Sequence, residues 1–519
     1  MSATRTRILT ALPDRPRLAA AGSLVLGILF ALGVGWLILR GRGLYAVAAF
    51  LLVFLYLGIL LRWQRGFYGL LVYLPFAGVV TLSLYPWKGL PMLHPALYKD
   101  WLFVFPTYLG FLAAVVLRRE RSPRLERLPT ALLIALSLLV LAHMANPGVP
   151  NALTGLIGAK VWLFYLPLYV LTFRLVASRR DLVLLLRLLV VLAVFPCAVG
   201  VAEYVLAQFV GYPALMDAIY GATAVPATQE LTYFEVGGGL IARIPSTFTF
   251  VTQYFGFTLA MLVPCYLAGR ADPSARWRRA ARWAFALVVV ASFLSGARAA
   301  FLFVPLLLAL MYGFDRGFFG VMRAGFYVAG MLLVALAIAS IATGALLRHV
   351  AELFRIYAQD TAYGGLVQAI TSVPLGAGTG TNTGPARYAF ERPEFFIAIQ
   401  NYYAKAAYEL GIPGLLLIWG LFAALIVLGF RNRRRLQDPA LRACAAGLLA
   451  FVITMALNCF KGWLIDLDPV NVYFWVFAGL LAKLPYLERS ADVPAHPFGP
   501  DERHPEGTRP ALPPAQRIP

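Results

Sequence analysis

Apolar residues in this chain run in long unbroken blocks, not at the spacing of a one-sided helix or strand, and the blocks are separated by short polar connections. A helix rises 1.5 Å per residue, so a block of about 18 or more predominantly apolar residues spans a bilayer's hydrocarbon core. Such blocks, or slightly shorter ones, cover residues 18–39, 44–61, 66–85, 101–117, 129–144, 160–176, 182–210 and 247–268. Two short ones, 283–294 and 299–314, flank Ser295-Gly296-Ala297-Arg298, and further blocks cover 324–347, 412–430, 441–460 and 470–484. The pattern predicts an all-α fold, a polytopic transmembrane bundle of about 12–14 helices over residues 1–485. One long polar interval, 348–411, interrupts it and carries a short helical pattern of its own. The tail 486–519 is rich in proline and charge and reads as disordered.

Basic residues sharpen this picture by fixing orientation. They concentrate at 118–127 (RRERSPRLER), at Arg179-Arg180, from Arg270 to Arg282 and from Arg431 to Arg435. Connections rich in Lys and Arg stay in the cytoplasm, and an inside amino terminus places each of these clusters there if 283–314 forms two short helices. The 348–411 interval then lies outside, and Arg298 sits at the outer junction of two short helices. The overall charge of +21 belongs to this pattern, so the bilayer is the predicted partner and nucleic acid is not. Charged residues make up only 13% of the chain, against roughly 25% in soluble proteins. Cys197, Cys265, Cys444 and Cys459 all fall in apolar blocks without metal spacing and read as packing residues.

Charge at membrane depth costs about 2.5–3.5 kcal/mol on insertion scales, which singles out a few residues. Arg243 stands before Ile244-Pro245-Ser246-Thr247-Phe248 at the outer mouth of the eighth block, and Arg298 lies between two apolar segments. Lys160 begins the sixth block on the outside, against the basic trend, and Glu203 lies near the outer end of the seventh as a candidate counter-ion. Guanidinium groups converging on the outer face favour an anionic ligand, since they grip phosphate oxygens in pairs and stay charged. No carboxylate cluster with metal spacing is evident, so the expected chemistry runs without a divalent ion or any other cofactor. In the polar interval, Asn401, Lys405 and Tyr408 fall at i, i+4 and i+7 on one helical face, with Tyr403 round toward another. The glycines at 376, 378 and 380 predict a tight backbone turn.

Taken in order, these segments resemble the O-antigen ligase and O-antigen polymerase superfamily of bacterial envelope enzymes. Arg243 with Ser246-Thr247-Phe248 matches that family's arginine-led helix entry, and Ser295-Gly296-Ala297-Arg298 its Ser-x-Arg junction with one residue inserted. Pro374 to Gly380 resembles its Gly-x-Gly stretch; Gln400-Asn401-Tyr402-Tyr403-Ala404 followed by Glu409-Leu410-Gly411-Ile412-Pro413-Gly414 matches its closing motif. The likeness spans about residues 160–430.

The resemblance implies a glycosyltransferase of the bacterial inner membrane, active at the periplasmic face. Its substrate would be an undecaprenyl-diphosphate-linked oligosaccharide, passed to a glycan or lipid acceptor in O-antigen or exopolysaccharide synthesis. A chain-length regulator and a flippase are the protein partners it implies. In the family's scheme Arg243 and Arg298 hold the diphosphate, while Gln400 stands where a histidine meets the acceptor hydroxyl. An amide cannot take up a proton at neutral pH, so Gln400 would bind without acting as a base. Glu230, Glu235 and His349 are the outside alternatives. Lys160, Asn401, Tyr403, Lys405 and Glu203 complete the expected substrate-binding set. The altered histidine tilts the reading from ligase toward polymerase. Rival readings are a transporter or flippase for an anionic substrate, and a family member that binds glycan without catalysis.

Overall fold

The computed structural model describes residues 43–84, 98–117, 125–221, 233–236, 239–317, 363–389 and 401–491, with scattered single positions between 32 and 41, from 320 to 330, and at 355 and 399. The expected spans 18–39 and 324–347 and the chain beyond 491 fall essentially outside them. The elements in order are α1 (Gly43–Leu61), then α2 (Trp63–Tyr73), which passes through a 3₁₀ turn at Leu74–Phe76 into α3 (Ala77–Leu84). A π turn at Asp100–Val104 opens α4 (Phe105–Leu117), followed by α5 (Arg127–His143), α6 (Ala152–Leu163), α7 (Pro167–Leu175), α8 (Arg179–Val210) and α9 (Tyr212–Tyr220). A small antiparallel hairpin, β1 (Tyr233–Val236) and β2 (Gly239–Ala242), pairs Tyr233 with Ala242. Then come α10 (Val251–Ala271), α11 (Ala275–Leu294), α12 (Ala300–Arg316), α13 (Gly365–Ser372), α14 (Tyr402–Arg435), α15 (Pro439–Asn458) and α16 (Val470–Ala491). Among the described residues, seven helical spans are long and apolar enough to cross a membrane. The protein is an all-α polytopic bundle, with the hairpin confined to a loop.

Burial separates centre from rim. The apolar windows of α10 and α16 are each 83% buried and that of α15 is 72%, whereas α8 keeps more than half of its window on the outside, presenting Val191, Phe195 and Phe209. Small residues let the central helices close up, because no hydrophobic force draws helices together in lipid and close packing must do so. A Cβ at Gly256 would come within 2.6 Å of Val470, and one at Gly479 within 2.4 Å of the Tyr169 carbonyl.

Several boundaries differ from the pattern in the sequence; α11, for one, begins at Ala275 and not at 283, so that Arg276 to Arg282 lie in a helix and not in a loop. The sixth span begins at Ala152, not Lys160, because Asn151 caps it by accepting from the Thr154 amide at 2.9 Å. Lys160 therefore lies more than two turns inside a helix instead of opening one. The last helix runs on to Ala491, past the expected start of the tail at 486. The short helical pattern at 401–410 joins the following span as α14, bent where Gly411 takes φ 70° and ψ −174°.

The bundle has two distinct ends. At one, arginines cross-link helices: Arg431 with Glu126, Arg179 with Asp438, Arg187 with Asp272 at 2.7 Å and Arg270 with Asp315 at 2.7 Å. At the other, loops are tied by backbone bonds from Ile244 to Ser295 at 3.1 Å, Thr379 to His143 at 3.2 Å and Tyr402 to Cys459 at 3.0 Å. The arginine motifs and the Asn401 helix all sit at this second end.

Candidate functional site

Residues 243–250 bring the chain from the hairpin into α10 along a fixed path. Ser246 adopts a positive φ of 54°, and its hydroxyl donates to the Pro196 carbonyl at 2.6 Å. The Thr247 hydroxyl donates to the Pro75 carbonyl at 2.5 Å, and the Val79 amide donates to the Thr247 carbonyl at 3.1 Å. The segment is thus pinned between α8 and the turn joining α2 to α3, while its Ile244 amide bonds to Ser295. Across that bond, α11 ends at Leu294, Gly296 turns the chain with φ 71°, and α12 begins at Ala300. Arg298 is exposed at this junction, where the two-helix reading of the sequence puts it.

Arg243 and Arg298 line the same cavity, of about 370 Å³. Thr252, Asn458 and Trp463 contribute to its wall, and so does Lys461, which the sequence reading passed over. Lys461 follows α15 directly: its amide and that of Gly462 both donate to the Asn458 carbonyl, at 2.9 and 2.8 Å, in a turn that leaves the side chain at the cavity. Burial, with Arg298 and Arg243 close by, pushes its ammonium down to about 8. Three cationic side chains from three helix junctions therefore share one pocket. The signal that exposes Lys461 is the one applied to Lys160, a lysine in a short connection on the side that basic residues avoid.

The Asn401 helix abuts this pocket through the loop that carries Lys461, since the Tyr402 amide donates to the carbonyls of Cys459 and Gly462 at 3.0 and 3.2 Å. Its polar residues are nevertheless spent on structure. Asn401 caps α14, its side-chain oxygen accepting from the Tyr403 and Ala404 amides at 2.9 and 3.1 Å. Tyr403 is buried, donates to the Ala456 carbonyl at 2.8 Å and packs edge-on against Phe460. Lys405 is 1% exposed, paired with Asp466, with its nitrogen 4.7 Å from the centre of the Trp162 ring. The expected substrate-binding face of Asn401 and Lys405 is thus turned into the bundle.

Glu409, from the closing motif, is the hub here. One oxygen accepts from the Trp162 indole at 2.6 Å; the other accepts from the Asn382 amide at 2.8 Å and the Thr383 hydroxyl at 2.9 Å. The glycine stretch threads beside it. Pro413 has no N–H to offer the Glu409 carbonyl, and Ile412 donates instead to Pro374 at 2.9 Å. The two carbonyls freed in this way, of Tyr408 and Glu409, accept from Ala377 and Gly378 at 2.7 and 2.9 Å.

Lys160 and Glu203 do not line the cavity. Lys160 pairs with Asp100 at 2.7 Å, and Asp100 also accepts from Tyr165 at 2.6 Å and faces Lys99, itself 2.8 Å from Asp468. Glu203 is 5% exposed inside α8, facing the Ser246 amide and the Tyr212 hydroxyl. Gln400, Glu230 and His349 lie outside the described residues, and Glu235 is described only as backbone of β1. Among the described residues, no group of three or more His, Cys, Asp or Glu side chains is placed to hold a metal ion. No protein-family model matches the chain, and a search of curated proteins returns no match.

Proposed function

We propose that the protein is a membrane glycosyltransferase that transfers glycan from a polyprenyl-diphosphate donor at the non-cytoplasmic face of a bacterial inner membrane, as a polymerase of lipid-linked repeat units. The observation that carries this reading is the meeting of Arg243, Arg298 and Lys461 on one cavity at the end of the bundle opposite the arginine-rich end. The positive-inside rule assigns the arginine-rich end to the cytoplasm, so the cavity opens outward. Paired guanidiniums offer planar donors that match diphosphate oxygens, and they stay charged as the donor's glycosidic bond breaks. In the transfer, an acceptor hydroxyl attacks the anomeric carbon, its proton passes to solvent water, and the diphosphate departs with the electrons of the broken carbon–oxygen bond. A diphosphate leaves readily, so positioning and charge stabilisation supply much of the rate.

Replacing Arg243 and Arg298 separately by lysine tests this. Each variant is expected to lose surface polymer while lipid-linked precursor accumulates on the outer face, with turnover lowered about 10²-fold or more. Precursor retained on the cytoplasmic side would overturn the reading in favour of transport.

A further inference from the structure

The turn that joins α1 to α2 stands at the arginine-rich end of the bundle. Tyr56 on α1 donates to the Trp101 carbonyl, and a Cβ at Gly110 of α4 would lie 3.1 Å from the Ile59 carbonyl oxygen, so α1 runs alongside α4 toward that end. Asp181, whose charge acts on Tyr68 of α2, caps α8 beside the pair of Arg179 and Asp438.

A cavity of about 540 Å³, separate from the first, opens at this turn and is lined by Arg62, Trp63, Gln64, Arg65, Tyr68 and Ala114. Its size falls in the range of about 300–1,000 Å³ common to ligand pockets. Trp63 is buried edge-on against Phe111 of α4, with ring centres 5.2 Å apart, and gives the cavity a rigid wall. Arg65 lies back over α1, its guanidinium 3.8 Å from the place a Cβ on Gly58 would take. Arg62 and Arg65 are exposed, and neither forms an ion pair among the described residues. Arg179, Arg187, Arg270 and Arg431, at the same end, are each engaged by a carboxylate. None of the lining residues is acidic.

We infer that this cavity binds the headgroup of an anionic phospholipid of the cytoplasmic leaflet, with phosphatidylglycerol as the headgroup that fits. Two guanidiniums match the free oxygens of a phosphodiester. Gln64 and Tyr68 offer hydrogen bonds to the hydroxyls of a glycerol headgroup, whereas the ammonium of ethanolamine would meet two like charges. What adjoins the cavity favours a lipid over a free phosphate. Phe54, Leu57 and Leu61 are exposed at i, i+3 and i+7 on one face of α1, and Leu61 lines the cavity itself, so acyl chains have a path leading from it. The inference rests on the cytoplasmic placement of this end and not on the transferase reading.

The experiment titrates the purified full-length protein in detergent with phosphatidylglycerol or phosphatidylethanolamine and counts retained lipids by native mass spectrometry. Wild type is compared with Arg62→Gln/Arg65→Gln and with Arg434→Gln/Arg435→Gln, which removes the same charge from exposed positions at the same end. Wild type should retain one phosphatidylglycerol in preference to phosphatidylethanolamine. The Arg62/Arg65 variant should bind that lipid about 30-fold more weakly, the effect of two interfacial arginines, while the Arg434/Arg435 variant stays within about threefold of wild type.

Equal weakening in both variants would reveal a general attraction of basic surface for anionic lipid and overturn the site. So would phosphatidylglycerol binding unchanged in the Arg62/Arg65 variant, or equal retention of the two lipids by wild type. Inorganic phosphate that displaces the lipid where chloride of the same ionic strength does not would assign the cavity to a soluble anion and overturn the lipid assignment. The lipid preference and the phosphate competition use wild type alone, so the test stands even where a variant folds poorly. None of these readouts depends on turnover, and the transferase reading stands or falls separately.

Discussion

Lys405 and Lys461 are close along the fold and differ in what surrounds them. Lys405 is enclosed with Asp466 under Trp162, a pair whose loss on one side leaves a buried charge uncompensated. Lys405→Met is expected to destabilise the protein by about 3–5 kcal/mol, and adding Asp466→Leu to recover part of it, as read from thermal unfolding of both variants in detergent. If Lys405 served substrate instead, the single variant would keep its stability and lose only activity. Glu409→Gln makes a finer case. A carboxylate accepts from all three donors around it, whereas an amide turns an NH₂ toward one or two of them. A loss of about 1–3 kcal/mol is expected, measured in the same way. At this scale the sequence singled out Arg243 and Arg298, which line one cavity, because an arginine amid apolar residues is conspicuous. It did not show that Asn401, Tyr403 and Lys405 face inward, because helical spacing defines a shared face but not what covers it.

At the scale of elements, the glycine stretch acts as a strap between three helices. Gly380 has φ 89° and packs where an added Cβ would lie 2.1 Å from the Thr154 carbonyl in α6. Gly378 is equally confined, its Cβ position 2.3 Å from Val149 in the loop after α5. Gly380→Ala is therefore expected to reduce folded yield and thermal stability sharply, the backbone strain alone amounting to about 1–3 kcal/mol. Gly384→Ala, with nothing nearer than Trp463 at 3.8 Å, should behave like wild type in the same fluorescence-detected gel filtration. A tight turn was legible from the glycine spacing. Its partners were not, since the carbonyls it binds are released by Pro413 and Gly411, more than thirty positions along the chain. The start of α6 was obscured for a related reason: a charged residue looks like a helix end until its counter-ion, Asp100, is found on another helix.

Over the whole molecule, the alternation of basic and non-basic connections reproduces the two ends of the bundle, because each span carries the chain from one to the other. Orientation can be checked directly, as the described cysteines are all buried and give little background. A cysteine replacing exposed Pro147, between α5 and α6, should react with an impermeant maleimide added outside intact spheroplasts. One replacing exposed Gln437, at the arginine-rich end, should react only after permeabilisation. The gathering of three cations from separate junctions was not readable, since it depends on how α10, α12 and α15 close around one space. That gathering also has a mechanical side. Burial and the two nearby guanidiniums disfavour the Lys461 ammonium, so holding it costs the folded state some stability. Below about pH 8 the folded lysine is charged against its neighbours, and the unfolded chain holds this proton more firmly. Melting temperature should consequently climb as pH goes from 8 toward 10, rise in Lys461→Gln at neutral pH, and rise in wild type when pyrophosphate is added. The turn after α15 thus carries an ammonium at a cost that alkaline pH removes.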